Sequence, residues 1–197
     1  MDPLLGLARR IARAGAWFGG ILLIAAALLV GVEVVIRKAF SVSVGGADEL
    51  AGYALAISTS WALAFTLLER AHIRIDSLYM HLPVRLCALL DIAGLMLLTA
   101  FFALITWYGF GVFQTSWTLG ARSMSPLGTP LIVPQVLWVL GLVMFLAIAV
   151  LLLARALIAL IAGDLASVRR LVGSRTLREE VAAEVGETPD PAAGPGT

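Results

Sequence analysis

The chain has 197 residues, 60% of them hydrophobic, and a mean hydropathy of +0.97. A water-soluble domain of this size has no use for so much apolar surface, so that class is excluded. The net charge of +1 carries little information as a total, whereas its distribution carries a great deal.

Residues 4 to 13 place Leu4, Leu7, Ala8 and Ile11 at helical spacing, with Arg9, Arg10 and Arg13 at other positions. Over residues 1–13 this predicts a short amphipathic helix lying among lipid headgroups. A plain cytoplasmic lead-in with topogenic arginines fits the same pattern. Charge-free stretches follow at 14–32, 50–68, 92–121 and 123–154. Each is long enough to cross a hydrocarbon core, which takes about 20 apolar residues. The surplus in the last two is tilt, loop or interfacial chain. The expected fold is therefore an all-α integral membrane protein. Its four transmembrane helices fall at about 14–37, 47–69, 84–113 and 132–156, within a membrane domain of 14–162.

Eleven basic residues fall before the first crossing, between the second and third, or after the fourth, whereas Arg37, Lys38 and Arg122 fall on the other side. By the positive-inside rule both termini and the central loop are cytoplasmic. A secretory signal competes for the N-terminus, but its apolar run of 19 residues exceeds the usual length and no cleavage site follows. An uncleaved first helix is expected. Gly19, Gly20 and Gly31 are candidate points of close helix approach. In the central loop Ile75, Leu78, Tyr79 and Leu82 are apolar at helical spacing, with Asp76 as a candidate cap and Pro83 opening the next helix. Trp107, Tyr108 and Trp117 suit an aromatic belt at the outer end of the third helix. The loop from 119 to 134 holds Ser125, Pro126, Gly128, Pro130 and Pro134, and is expected to be irregular. Residues 163–197 are expected to form a cytoplasmic tail that from Glu179 on is acidic, rich in Pro and Gly and disordered.

Ionisable groups in membrane segments are the natural functional candidates. Glu33 and Arg37 are four apart on one helix face, either as a local ion pair anchoring the helix end or in transport. Asp48 and Glu49 open the second helix, where acids complement the helix dipole or could meet a partner protein outside. Asp91 lies about two turns into the third helix. Gln114 and Gln135 are candidate interhelical hydrogen bonders. The single cysteine, Cys87, excludes a disulfide framework and is expected to pack between helices. Both histidines, His72 and His81, fall in one loop, which argues against transmembrane haem ligation. There is no nucleophile elbow and no His-Glu-x-x-His. No catalytic, metal or cofactor-binding residue is assigned, no nucleic-acid partner is expected, and the chain does not look like an enzyme.

Asp48-Glu49-Leu50 at the start of the second helix, Trp61 within it, and His72-Ile73-Arg74-Ile75-Asp76 after it carry a family signature, with Leu82-Pro83 following. Together they resemble the small permease subunit of tripartite ATP-independent periplasmic (TRAP) transporters. The resemblance covers residues 10 to 160 and is specific over 47–83; the second half matches mainly in hydropathy. It implies a four-helix subunit in the bacterial inner membrane, beside a larger permease that holds the substrate and sodium sites. It also implies a periplasmic binding protein that delivers an organic acid anion, with import driven by a sodium gradient. The small subunit then widens the scaffold and helps dock the binding protein. Glu33, Arg37, Asp48 and Glu49 become candidate contacts on the outer side, and His72, Arg74 and Asp76 on the cytoplasmic side, with lipids around both. Two other readings stay open. One is an autonomous proton-coupled four-helix exporter using Glu33. The other is the small subunit of a tripartite tricarboxylate transporter.

Overall fold

The computed structural model describes residues 3–43, 45–69, 83–165 and 168. Four long helices dominate them: α1 (Pro3–Phe40), α2 (Ala47–Leu68), α3 (Val84–Leu119) and α4 (Ile132–Ile161). All four are long and apolar enough to span a membrane. The 22 residues of α2 extend about 33 Å, close to one hydrocarbon thickness. The 38 residues of α1 reach about 57 Å and must project or tilt.

Residues 4–13 run into α1 without a break. Ala8 and Ala12 on that segment are buried, while Arg9, Arg10 and Arg13 are exposed. At the other boundaries α1 continues to Phe40 and α3 to Leu119, beyond the expected 37 and 113. Trp107, Tyr108 and Trp117 consequently all lie within α3, and all are exposed. Beyond α4, Val168 is fully buried against Ala88, Ile92 and Ala156, so packing continues past residue 162. The expected helix at 75–82 and the tail beyond 168 lie outside the described residues.

In space the helices pack as α1 on α2, α2 on α4 and α4 on α3. Two seams explain this order. On α1 one stripe of buried or half-buried residues runs through Ala8, Ala12, Gly15, Gly19, Leu22, Ala26, Leu29 and Glu33. On α3 another stripe runs through Ala88, Ile92, Leu95, Thr99, Phe102, Thr106, Gly109, Phe113 and Ser116, with Asp91 buried beside it. Both stripes step alternately by four and three residues, the 3.5-residue repeat of helices that wrap gently around one another. In lipid the hydrophobic effect does not drive helices together, so contact area must, and small residues let backbones approach. A Cβ on Gly19 would lie 3.0 Å from the Ser58 carbonyl oxygen, and one on Gly15 would lie 3.0 Å from the Trp61 ring. Gly20 and Gly31, expected as approach points, are off this stripe and face open space.

All four helices meet in a core of Ala8, Ala12, Ala64, Leu67, Leu68, Leu95, Phe145, Ile148, Ala149 and Leu152. The Phe102 and Phe145 ring centroids are 4.4 Å apart at its centre. This core lies toward the C-terminal end of α2. At the N-terminal end of α2, two loops cover the bundle, residues 41–46 and 120–131.

Candidate functional site

At the loop-covered end the structure links several polar side chains through hydrogen bonds. Gly46, at a φ of 99°, precedes α2 in a left-handed conformation that favours glycine. Its Cα also packs under the Leu127 side chain, leaving no room for a Cβ. Asp48 and Glu49 follow in the first turn, beside the positive end of the helix dipole.

The 120–131 loop is built by its own hydrogen bonds. The Ser123 amide donates to the Thr129 carbonyl at 2.9 Å, and the Leu131 amide to the Ala121 carbonyl at 3.0 Å. Ser125-Pro126-Leu127-Gly128 closes a tight turn, with the Gly128 amide donating to the Ser125 carbonyl at 3.0 Å. Proline second and glycine fourth is the composition such a turn prefers. The Arg122 guanidinium donates to the Gly128 carbonyl at 3.2 Å.

Glu49 fastens this loop to α2. One carboxylate oxygen accepts a short hydrogen bond from the Ser125 hydroxyl, and the other accepts from the Tyr53 hydroxyl at 2.6 Å. Bonds to a charged acceptor are the stronger kind. Glu49 is therefore engaged within the chain, and Asp48 is the exposed acid of the pair. Replacing Glu49 by Ala is expected to free the loop. Limited trypsin digestion in detergent should then cleave after Arg122 severalfold faster than in the wild type, with an unchanged rate after Arg9 and Arg10.

Glu33 fastens the other loop. It sits on the buried stripe of α1 and is only 3% exposed. Its carboxylate accepts from Arg37 at 2.9 Å and from the Ser43 hydroxyl at 2.6 Å. The Arg37 side chain is 57% exposed, so the charge pair opens toward the surface. Glu33, Arg37, Asp48 and Glu49 thus share one end of the bundle. His72, Arg74 and Asp76 lie outside the described residues.

Within the helices three buried hydroxyls are spent locally, while that of Ser58 has no partner. Ser60 donates to the Ile57 carbonyl at 2.8 Å, Thr99 to Leu95 at 2.7 Å and Thr106 to Phe102 at 2.7 Å. Hydroxyls that bond back to their own helix make no path through it. Asp91 is buried on the α3 seam between Ala88 and Ile92. Among the described residues no cluster of three His, Cys, Asp or Glu could hold a metal.

Trp61 is the residue whose structural weight exceeds what its place in the sequence indicates. Its indole N–H donates to the Leu137 carbonyl of α4 at 2.9 Å. Its ring meets Phe18 of α1 edge-on, with centroids 5.3 Å apart. It also closes over Gly15 of α1 and Gly141 of α4. One side chain therefore ties three helices. The available signals were the Gly15-x-x-x-Gly19 spacing and a glycine in the middle of α4. Gln114 is exposed on α3, and the Gln135 amide oxygen has no hydrogen-bond partner. The interhelical bond expected of Gln135 is therefore not made within this chain.

Comparison with curated proteins returned no match, and comparison with solved structures returned none. The profile of one protein family, described as "Tripartite ATP-independent periplasmic transporters, DctQ component", matches residues 7–159. That span takes in all four helices, the Trp61 junction and both latched loops, and the chain belongs to this family, the small membrane component of TRAP transporters.

Proposed function

We propose that this chain is the non-transporting scaffold subunit of a sodium-driven, binding-protein-dependent importer of organic acid anions in a bacterial inner membrane. The observation that carries this reading is the division of its polarity. Glu33 and Glu49 are both committed to latching loops at one end. The buried hydroxyls of Ser60, Thr99 and Thr106 bond to their own helices. A protein arranged in this way supports a partner's transport site more readily than it forms one.

With N-in/C-in topology the latched end faces the periplasm, as the distribution of arginines favours. Exposed Asp48 and Arg37, beside the fixed 120–131 loop, then form the surface offered to the binding protein. His72, Arg74 and Asp76 fall on the cytoplasmic side, where they would hold the central loop against helix ends or headgroups. Asp76→Ala is expected to lower the yield of the assembled complex more than the affinity for substrate. Normal assembly with altered affinity would overturn that role.

The autonomous exporter reading requires Glu33 to exchange protons during transport. The Glu33 side chain is instead tied by Arg37 and Ser43 to the end of its helix and to the following loop, a structural use of the group. Reconstitution tests the proposal. Proteoliposomes with this chain, the large permease and the binding protein should accumulate an organic acid anion under a sodium gradient. Proteoliposomes with this chain alone should show neither that uptake nor a proton-coupled flux abolished by Glu33→Gln.

A further inference from the structure

Gln135 lines a cleft of about 150 Å³ between the loop-side halves of α2 and α4, with Tyr53, Ala56, Ile57, Pro134 and Trp138. Apart from the amide, the Tyr53 hydroxyl and the Trp138 indole N–H, the named lining groups are apolar. The Gln135 amide oxygen is buried and has no partner. Among nearby donors the Tyr53 hydroxyl goes to Glu49 and the Trp61 indole N–H to the Leu137 carbonyl, and the Trp138 indole N–H, which also lines the cleft, does not reach the Gln135 oxygen. Ile57 places the cleft floor about 15 Å along α2 from Ala47, well within the span of that helix. A buried carbonyl oxygen left unpaired at such depth is destabilising. An acyl chain filling the cleft has no donor to offer it.

The second orphan, the Ser58 hydroxyl, differs in kind. It belongs to a residue only 1% exposed and packed against Gly19 between α1 and α2, whereas the Gln135 side chain is half-buried and lines a cleft. The Gln135 cleft opens sideways, with Ala56 exposed at its rim.

We infer that this cleft is the slot into which the large permease subunit inserts one side chain ending in a hydrogen-bond donor, which Gln135 receives. The inference rests on the reading of the chain as the small partner of a larger permease. The cleft volume suits a single side chain, and the unpaired acceptor selects a donor-bearing one. Burial of an otherwise unpaired acceptor gives such a contact its specificity.

The test uses the full chain co-expressed with the large permease. Gln135→Met keeps the side-chain length and removes the acceptor. Melted alone, this variant should match or exceed the wild-type melting temperature, because an unpaired buried oxygen has gone. Retention of the large subunit on the tagged variant after washing should fall roughly threefold to tenfold. In the wild-type background, a photoactivatable side chain at Ala56 should crosslink to the large subunit. Equal retention by variant and wild type would overturn the inference, as would crosslinking to phospholipid alone or a lower melting temperature for isolated Gln135→Met. If the wild type itself retains no large subunit, the functional reading falls with it. If the wild type retains it and Gln135→Met retains it equally, only the slot falls.

Discussion

Gly141→Leu is expected to prevent the bundle from assembling. A Cβ at position 141 would lie 2.8 Å from Trp61 Cδ1 and 2.9 Å from Ser60 Cβ, with the Ser60 hydroxyl closer still. Neither α2 neighbour can swing aside cheaply. Ser60 is 2% exposed and bonded to its own helix, and Trp61 is held by Phe18 and by the Leu137 carbonyl. Relief must come from moving α4 away from α2, which breaks the Trp61–Leu137 bond one turn away. Overpacking by a single methyl costs about 1–3 kcal/mol, so Gly141→Ala should lower the melting temperature in detergent measurably. The larger leucine should leave the protein aggregated or degraded. Gly111→Ala is the control: that glycine faces open space on α3, and its replacement should be neutral or slightly stabilising.

Trp61→Ala should produce the second large loss, by the opposite mechanism. It removes a ring that fills the junction of α1, α2 and α4 and leaves a void that lipid cannot enter. In a bilayer the transfer term of a core truncation largely disappears, because the surroundings are also apolar. The cavity and lost-contact terms remain, for an expected cost of about 2–3 kcal/mol. Trp61→Phe separates the contributions. It keeps most of the packing and loses the hydrogen bond, which in membranes averages about 0.6 kcal/mol. A Trp61→Phe variant as unstable as Trp61→Ala would mean that the bond, and not the packing, holds the junction.

The four crossings were legible because length and hydropathy alone decide what can span a bilayer. The buried faces were not. A soluble helix announces its core side by contrast between polar and apolar residues, but α1 and α3 are apolar around most of their circumference. What marks their seams is size: Ala8, Ala12, Gly15 and Gly19 on α1, and Gly109 on α3. Gly20 and Gly31, equally small, lie off the 3.5-residue step and face open space. The Glu33–Arg37 pair could be read from its spacing of four. Its third member, Ser43, could not, because it arrives through a loop whose path residue types do not specify. Glu49 shows the same limit. Its place in the first turn of α2 was evident, whereas its partner Ser125 is 76 residues away and meets it only after the 120–131 loop has closed on itself. Gln135 was expected to bond between helices, and the fold of the single chain leaves it without a partner.

The most direct measurement is affinity purification of the tagged full-length chain from membranes that also contain the large permease of its own transport system. A scaffold subunit should bring the large permease with it in equimolar amount through size exclusion, and the complex should melt above either subunit alone. A chain that elutes without the large permease, while alone in vesicles it still moves solute, would contradict the scaffold role.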